Sequence, residues 1–99
     1  MNACVFEGRL AKLAEERELP SGDRIVVFSV IVDREDARGV DTIECVVRPA
    51  RLRVRIQALD AGVWLRVEGA LHRRFWRHAS GVSSRYEVEA SKCVRLRHR

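Results

Sequence analysis

Apolar residues along most of this chain recur at every second position, the period of a half-buried strand, and polar clusters break the runs. The first run, Ala3 to Leu10, contains Gly8, where a strand can kink or bend round a barrel. Ala11 to Glu18 is rich in charge and reads either as a short helical turn or as an extended strand edge; Leu19-Pro20-Ser21-Gly22-Asp23 then marks a turn. Ile25 to Asp33, I-V-V-F-S-V-I-V-D, is apolar on both faces and rich in β-branched residues, the composition of a central strand with Phe28 in the core. A polar loop over 34–40 leads to a third strand, Asp41 to Arg48, which Pro49 ends by removing a backbone donor.

Arg51 to Asp60 alternates like a strand, yet Leu52, Ile56 and Leu59 also form a helical stripe, and Gly62 fits a helix stop; the spacing favours a short helix. Val63 to His72 is a fourth strand, with Leu65, Val67 and Leu71 on the core face and Trp64 and Arg66 on the other. Arg73 to His78 and Ser84 to Leu96 then form a hairpin turning at Ser80-Gly81. Five strands with a helix between the third and fourth is the order of an OB-fold, so residues 1–99 are expected to form one all-β domain, a five-stranded Greek-key barrel.

Charge changes this picture more than composition does. Residues 1–47 carry 6 basic and 10 acidic side chains and residues 48–99 carry 13 and 4, so the net charge of +5 conceals halves of −4 and +9. The sign of the second half points to a polyanionic partner. Its densest stretch, R-R-F-W-R-H-A-S-G-V-S-S-R-Y-E-V-E, sets Arg73, Arg74, Arg77 and Arg85 among Phe75, Trp76 and Tyr86. Rings among guanidinium groups suit single-stranded nucleic acid, whose bases offer π-faces and whose backbone offers phosphates.

Other chemistry finds little support. Cys4, Cys45 and Cys93 are odd in number, far apart and set in apolar runs, which reads as buried structural thiols; His72, His78 and His98 lack ligand spacing. No nucleophile–base set, phosphate-binding glycine loop or paired carboxylate site emerges, and Asp33, Asp36 and Asp41 read as residues that keep a loop soluble. The expectation is a binding protein without metal or cofactor. The opening M-N-A-C-V-F-E-G has neither a basic n-region nor a long apolar run, so a cytoplasmic, nucleoid-associated protein without a membrane segment is expected.

Four segments in order resemble the bacterial single-stranded DNA-binding proteins: M-N-A-C-V-F-E-G-R-L, F-S-V-I-V-D-R, D-T-I-E-C-V-V and, most specifically, G-V-W-L-R-V-E-G-A-L followed by the tryptophan hairpin. The resemblance implies an oligonucleotide-binding barrel that assembles as a homodimer or homotetramer and acts in DNA replication, repair and recombination. Trp76 matches the family's hairpin tryptophan. Ile43 and Pro49 stand where the family places two further aromatics, and the 34–40 loop has none, so the resemblance leaves Trp76 as the principal stacking residue. The family's acidic C-terminal tip is also missing: the chain ends C-V-R-L-R-H-R, and no tail-mediated partner recruitment is expected.

The candidate contact set is therefore Trp76 and Phe75 with Arg73, Arg74, Arg77 and Arg85, joined by Arg48, Arg51 and Arg53 in place of the missing rings. Phe75 and Tyr86 each also read as packing residues, because alternation turns some hairpin aromatics inward. Trp64 completes the set, on a face where a base, a subunit interface or an overlying loop are equally open occupants. An alternative of another class is an OB-fold interaction module similar to primosomal replication protein N, bridging replication-restart proteins with weak DNA binding.

Overall fold

The computed structural model describes residues 1–36 and 38–97. The strands are β1 (Cys4–Leu10), β2 (Glu15–Glu18), β3 (Arg24–Asp33), β4 (Val40–Val47), β5 (Trp64–His78) and β6 (Gly81–Leu96), with one helix, α1 (Ala50–Gln57), between β4 and β5. Neighbouring strands run β1-β5-β6-β4-β3, and β1 also pairs β3, which closes a five-stranded barrel and gives the expected OB-fold. β4 and β6 form the single parallel junction among the described strands.

Closure depends on backbone approaching backbone. Arg9 and Leu10 pair with Ile31 and Val30 where β1 leaves β5 for β3. Beside that crossing, a Cβ on Gly8 would lie 2.2 Å from the carbonyl oxygen of Ile31, so a side chain there is incompatible with the seam. Gly69 plays the same part between β5 and β6, where a Cβ would meet the Glu89 carbonyl at 2.2 Å beside a break in register.

Alternation fills the barrel as the pattern predicts. Val26, Phe28 and Val30 of β3, Cys45 and Val47 of β4, and Leu65 and Val67 of β5 point inward, and α1 plugs one end with Leu52 and Ile56. Cys45 and Cys93 lie in this core, where burial pushes both thiols up, Cys93 to about 11. Cys4 and Phe6 are partly buried against the same cluster.

The stretch left open before the first turn contains β2, E-E-R-E, an exposed strand laid antiparallel on β3 outside the closed ring. The hairpin is also longer than its sequence signals. β5 continues unbroken through His78, and β6 begins at Gly81, whose φ of +139° suits the turn after Ala79 and Ser80. His98 and Arg99 lie outside the described residues.

Candidate nucleic-acid interface

β5 pairs with β1 only as far as Gly69, and β6 pairs with β4 only at Val88 and Glu89. From His72 to Glu87 the two strands therefore pair only with each other, as a ladder extending past the barrel. The side chains of Asn2 brace its base, accepting from the Leu71 N–H at 2.8 Å and donating to the Leu71 carbonyl at 2.7 Å.

Register divides this ladder into two faces. Arg74 lies directly opposite Arg85 and Trp76 opposite Ser83, placing Arg74, Trp76 and Arg85 together. Both guanidinium groups come within cation–π reach of the indole, Arg85 at 5.5 Å and Arg74 at 5.8 Å from the ring centroid, and Trp76 remains 39 % exposed. Like charges directly opposite on a sheet repel. The indole offsets that repulsion, as does buried Glu87, whose carboxylate stands 3.8 Å from Arg74 Nε, within ion-pair range and beyond hydrogen-bond range.

The opposite face carries Arg73, Phe75 and Arg77 against Tyr86, Ser84 and Val82. Arg73 lies 4.9 Å from the Phe75 centroid and 5.6 Å from that of Tyr86, and donates through Nε and Nη2 to Ser84 Oγ. Phe75 and Tyr86 are each 60 % exposed, so the inward packing considered for them from alternation does not occur. The inward direction of the pattern holds only while a core lies beneath it, and beyond Leu71 there is none. A count from Trp76 across the turn places Tyr86 opposite Arg73, a signal available in the sequence that identifies Tyr86 as a hairpin surface residue.

The remaining candidates are distributed differently. Arg48 is ion-paired with Glu89, and Arg53 donates to the carbonyls of Arg48 at 2.7 Å and Arg24 at 3.2 Å, tying α1 to the barrel. Arg51 is exposed at the start of α1. Ile43 is partly buried against the core, so its place on β4 offers no ring to solvent.

Trp64 stands at the other end of β5 from Trp76. Arg9 lies over its ring at 5.2 Å, and it lines a cavity of about 530 Å³ with Glu7, Asp33, Glu35, Asp36 and Asp41. Arg9, Arg34 and Arg66 pair with three of these carboxylates, and Glu35 and Asp36 leave the site net acidic, which disfavours a phosphate backbone. Trp64 thus stands across a cavity from Asp33, Glu35 and Asp36.

A β-ladder carrying rings and guanidinium groups beyond a closed barrel narrows the fold comparison, and the sequence profile of the Single-strand binding protein family matches residues 1–96. The chain belongs to the Single-strand binding protein family. Among solved structures, the Plasmodium falciparum SSB complex with ssDNA superposes with a TM-score of 0.84 at 23 % identity, covering 98 % of this chain and 96 % of that one. No curated protein matches the chain. Among single-strand binding proteins this chain is a single-stranded DNA-binding member with an OB barrel. Among its described residues no cluster of His, Cys, Asp and Glu is arranged to hold a metal ion, and no helix is long and apolar enough to cross a membrane.

Proposed function

We propose that this protein holds single-stranded DNA without regard to sequence, with the outer β5–β6 ladder as its principal contact and no chemical step. The observation that carries this reading is Trp76, exposed between Arg74 and Arg85 on a ladder that extends past the barrel. A base stacks on the indole, and a flanking phosphate meets Arg85, which lies on the same face beside the ring. Arg74 contributes less net charge because Glu87 stands beside it. Arg51 extends the basic track toward α1, whereas Arg48 must exchange Glu89 for a phosphate before it contributes.

The chain acts as a homodimer or homotetramer in the cytoplasm, on nucleoid DNA during replication, repair and recombination. Sedimentation that shows only a monomer at working concentrations removes the oligomer from this reading.

Tryptophan fluorescence titrated with oligo(dT) at several salt concentrations tests the binding itself. Quenching is expected, with affinity falling steeply as salt rises, because each phosphate neutralised releases counterions. Absence of both quenching and a retarded complex at low salt would falsify the proposal.

A further inference from the structure

Within the barrel, one side of the β5–β6 ladder is core: Leu65, Val67, Val88, Ala90 and Cys93 are all buried there. The same side continues past the barrel, and its apolar residues become surface. Leu71 is 43 %, Phe75 60 %, Val82 61 % and Tyr86 60 % exposed, interrupted only by Arg73, Arg77 and Ser84. No carboxylate belongs to this stripe among the described residues, since Glu87 is on the other face opposite His72.

We propose that this Phe75–Tyr86 face is a second platform for single-stranded nucleic acid, so that the hairpin holds two strand segments, one on each side. The inference rests on the reading of the Trp76 face given above. An apolar protein surface docked here would bury Arg73 and Arg77 without counter-charges, which is costly. A nucleic acid satisfies both components, with bases on the rings and phosphates on the guanidinium groups. Arg73 is already fixed between the two rings and Ser84, so little side-chain freedom is lost on binding. The second segment comes either from the same strand carried round the hairpin tip or from another molecule; the chemistry is shared.

The test compares the full chain with Phe75→Ala/Tyr86→Ala by titration with poly(dT) and with a short oligo(dT), alongside sedimentation. Expected are a smaller occluded site on poly(dT) and a fall in the ratio of long-strand to short-strand affinity, about five-fold or more for each ring lost. Unchanged site size and ratio overturn the proposal. So does a variant that loses an oligomer while keeping the same nucleotides per protomer, because the face is then a contact between copies.

The number of short oligonucleotides bound per protomer of wild-type protein at saturation distinguishes the sources. Two per protomer indicate two molecules, and one per protomer with a reduced site in the variant indicates one strand wrapped round the tip. Should the double variant fail to fold, photocrosslinking of wild-type protein to iodouracil-substituted oligo(dT) decides the matter: adducts on Phe75 or Tyr86 support the second platform, and adducts confined to the Trp76 face exclude it. Absence of quenching and adducts anywhere removes the underlying reading, a result distinct from loss of the second platform alone.

Discussion

Trp64 and Trp76 mark opposite ends of β5, and each lies beneath a guanidinium group: Arg9 at 5.2 Å for the first, Arg85 and Arg74 at 5.5 and 5.8 Å for the second. The immediate contacts are alike. What differs is the balance of surrounding charge: five carboxylates stand around Trp64 against Arg9, Arg34 and Arg66, whereas the face around Trp76 holds Glu87 against Arg74 and Arg85. A cation over an aromatic ring is thus not by itself the mark of a nucleic-acid contact; the sign of the field beyond the pair decides whether a phosphate approaches.

The same rule separates the arginines of the barrel wall from those of the ladder. Arg9, Arg24, Arg34, Arg48 and Arg66 face Asp33, Glu16, Asp41, Glu89 and Glu7 respectively. Exposed pairs of this kind each stabilise a fold by about 0–1 kcal/mol. Their larger effect here is to neutralise the wall. On the hairpin, by contrast, Arg73, Arg77 and Arg85 face no carboxylate across the ladder among the described residues.

The sharpest way to break this contrast is to reverse the sign of the hairpin. Arg74→Glu/Arg77→Glu/Arg85→Glu is expected to weaken oligo(dT) binding by about a hundredfold or more at moderate salt, measured by anisotropy of a labelled strand. A variant that binds within a few-fold of wild type refutes the assignment of the ladder as the phosphate track. Next in size, Trp76→Ala should cost about 1 to 3 kcal/mol of binding. Trp64→Phe, in the same titration, should leave affinity near the wild-type value; equal losses from the two substitutions erase the distinction between the ends of β5.

Salt dependence refines the comparison between wall and ladder. Removing Arg77 should lower the steepness of log K against log salt by about 0.7. Removing Arg48 should change it less, because Glu89 already neutralises that charge. The smallest effect is expected at the acidic end. Asp36→Asn/Asp41→Asn should raise affinity slightly at low salt and not at high salt, through relief of screened repulsion; a rise that persists at high salt points to direct contact there.

Much of this arrangement is legible in the sequence, for identifiable reasons. β3 and the hairpin announce themselves because β-branched and aromatic residues alternate, and α1 because Leu52 and Ile56 lie one turn apart ahead of Gly62. β2 gives no such signal: E-E-R-E has no apolar face and is a strand only because it pairs with Arg24 to Val27. The surroundings of Trp64 are hidden for a related reason. Its carboxylates arrive from Glu7 on β1, from the end of β3 and the residues after it, and from the start of β4, and barrel closure brings Glu7 to the others. Likewise, nothing near Arg48 or Arg53 in the chain foretells Glu89 or the Arg24 carbonyl as their partners.

The unbroken run of β5 and β6 from core into solvent also joins two levels of stability in one element. Amides from Trp64 to Gly69 share the cooperativity of the barrel, whereas those beyond Leu71 rest on a two-stranded ladder, which has little stability of its own. A ligand that binds only the closed ladder stabilises it by mass action. Hydrogen exchange in the outer hairpin would then slow as DNA is added while the barrel amides stay unchanged, making the protein's own backbone a gauge of occupancy.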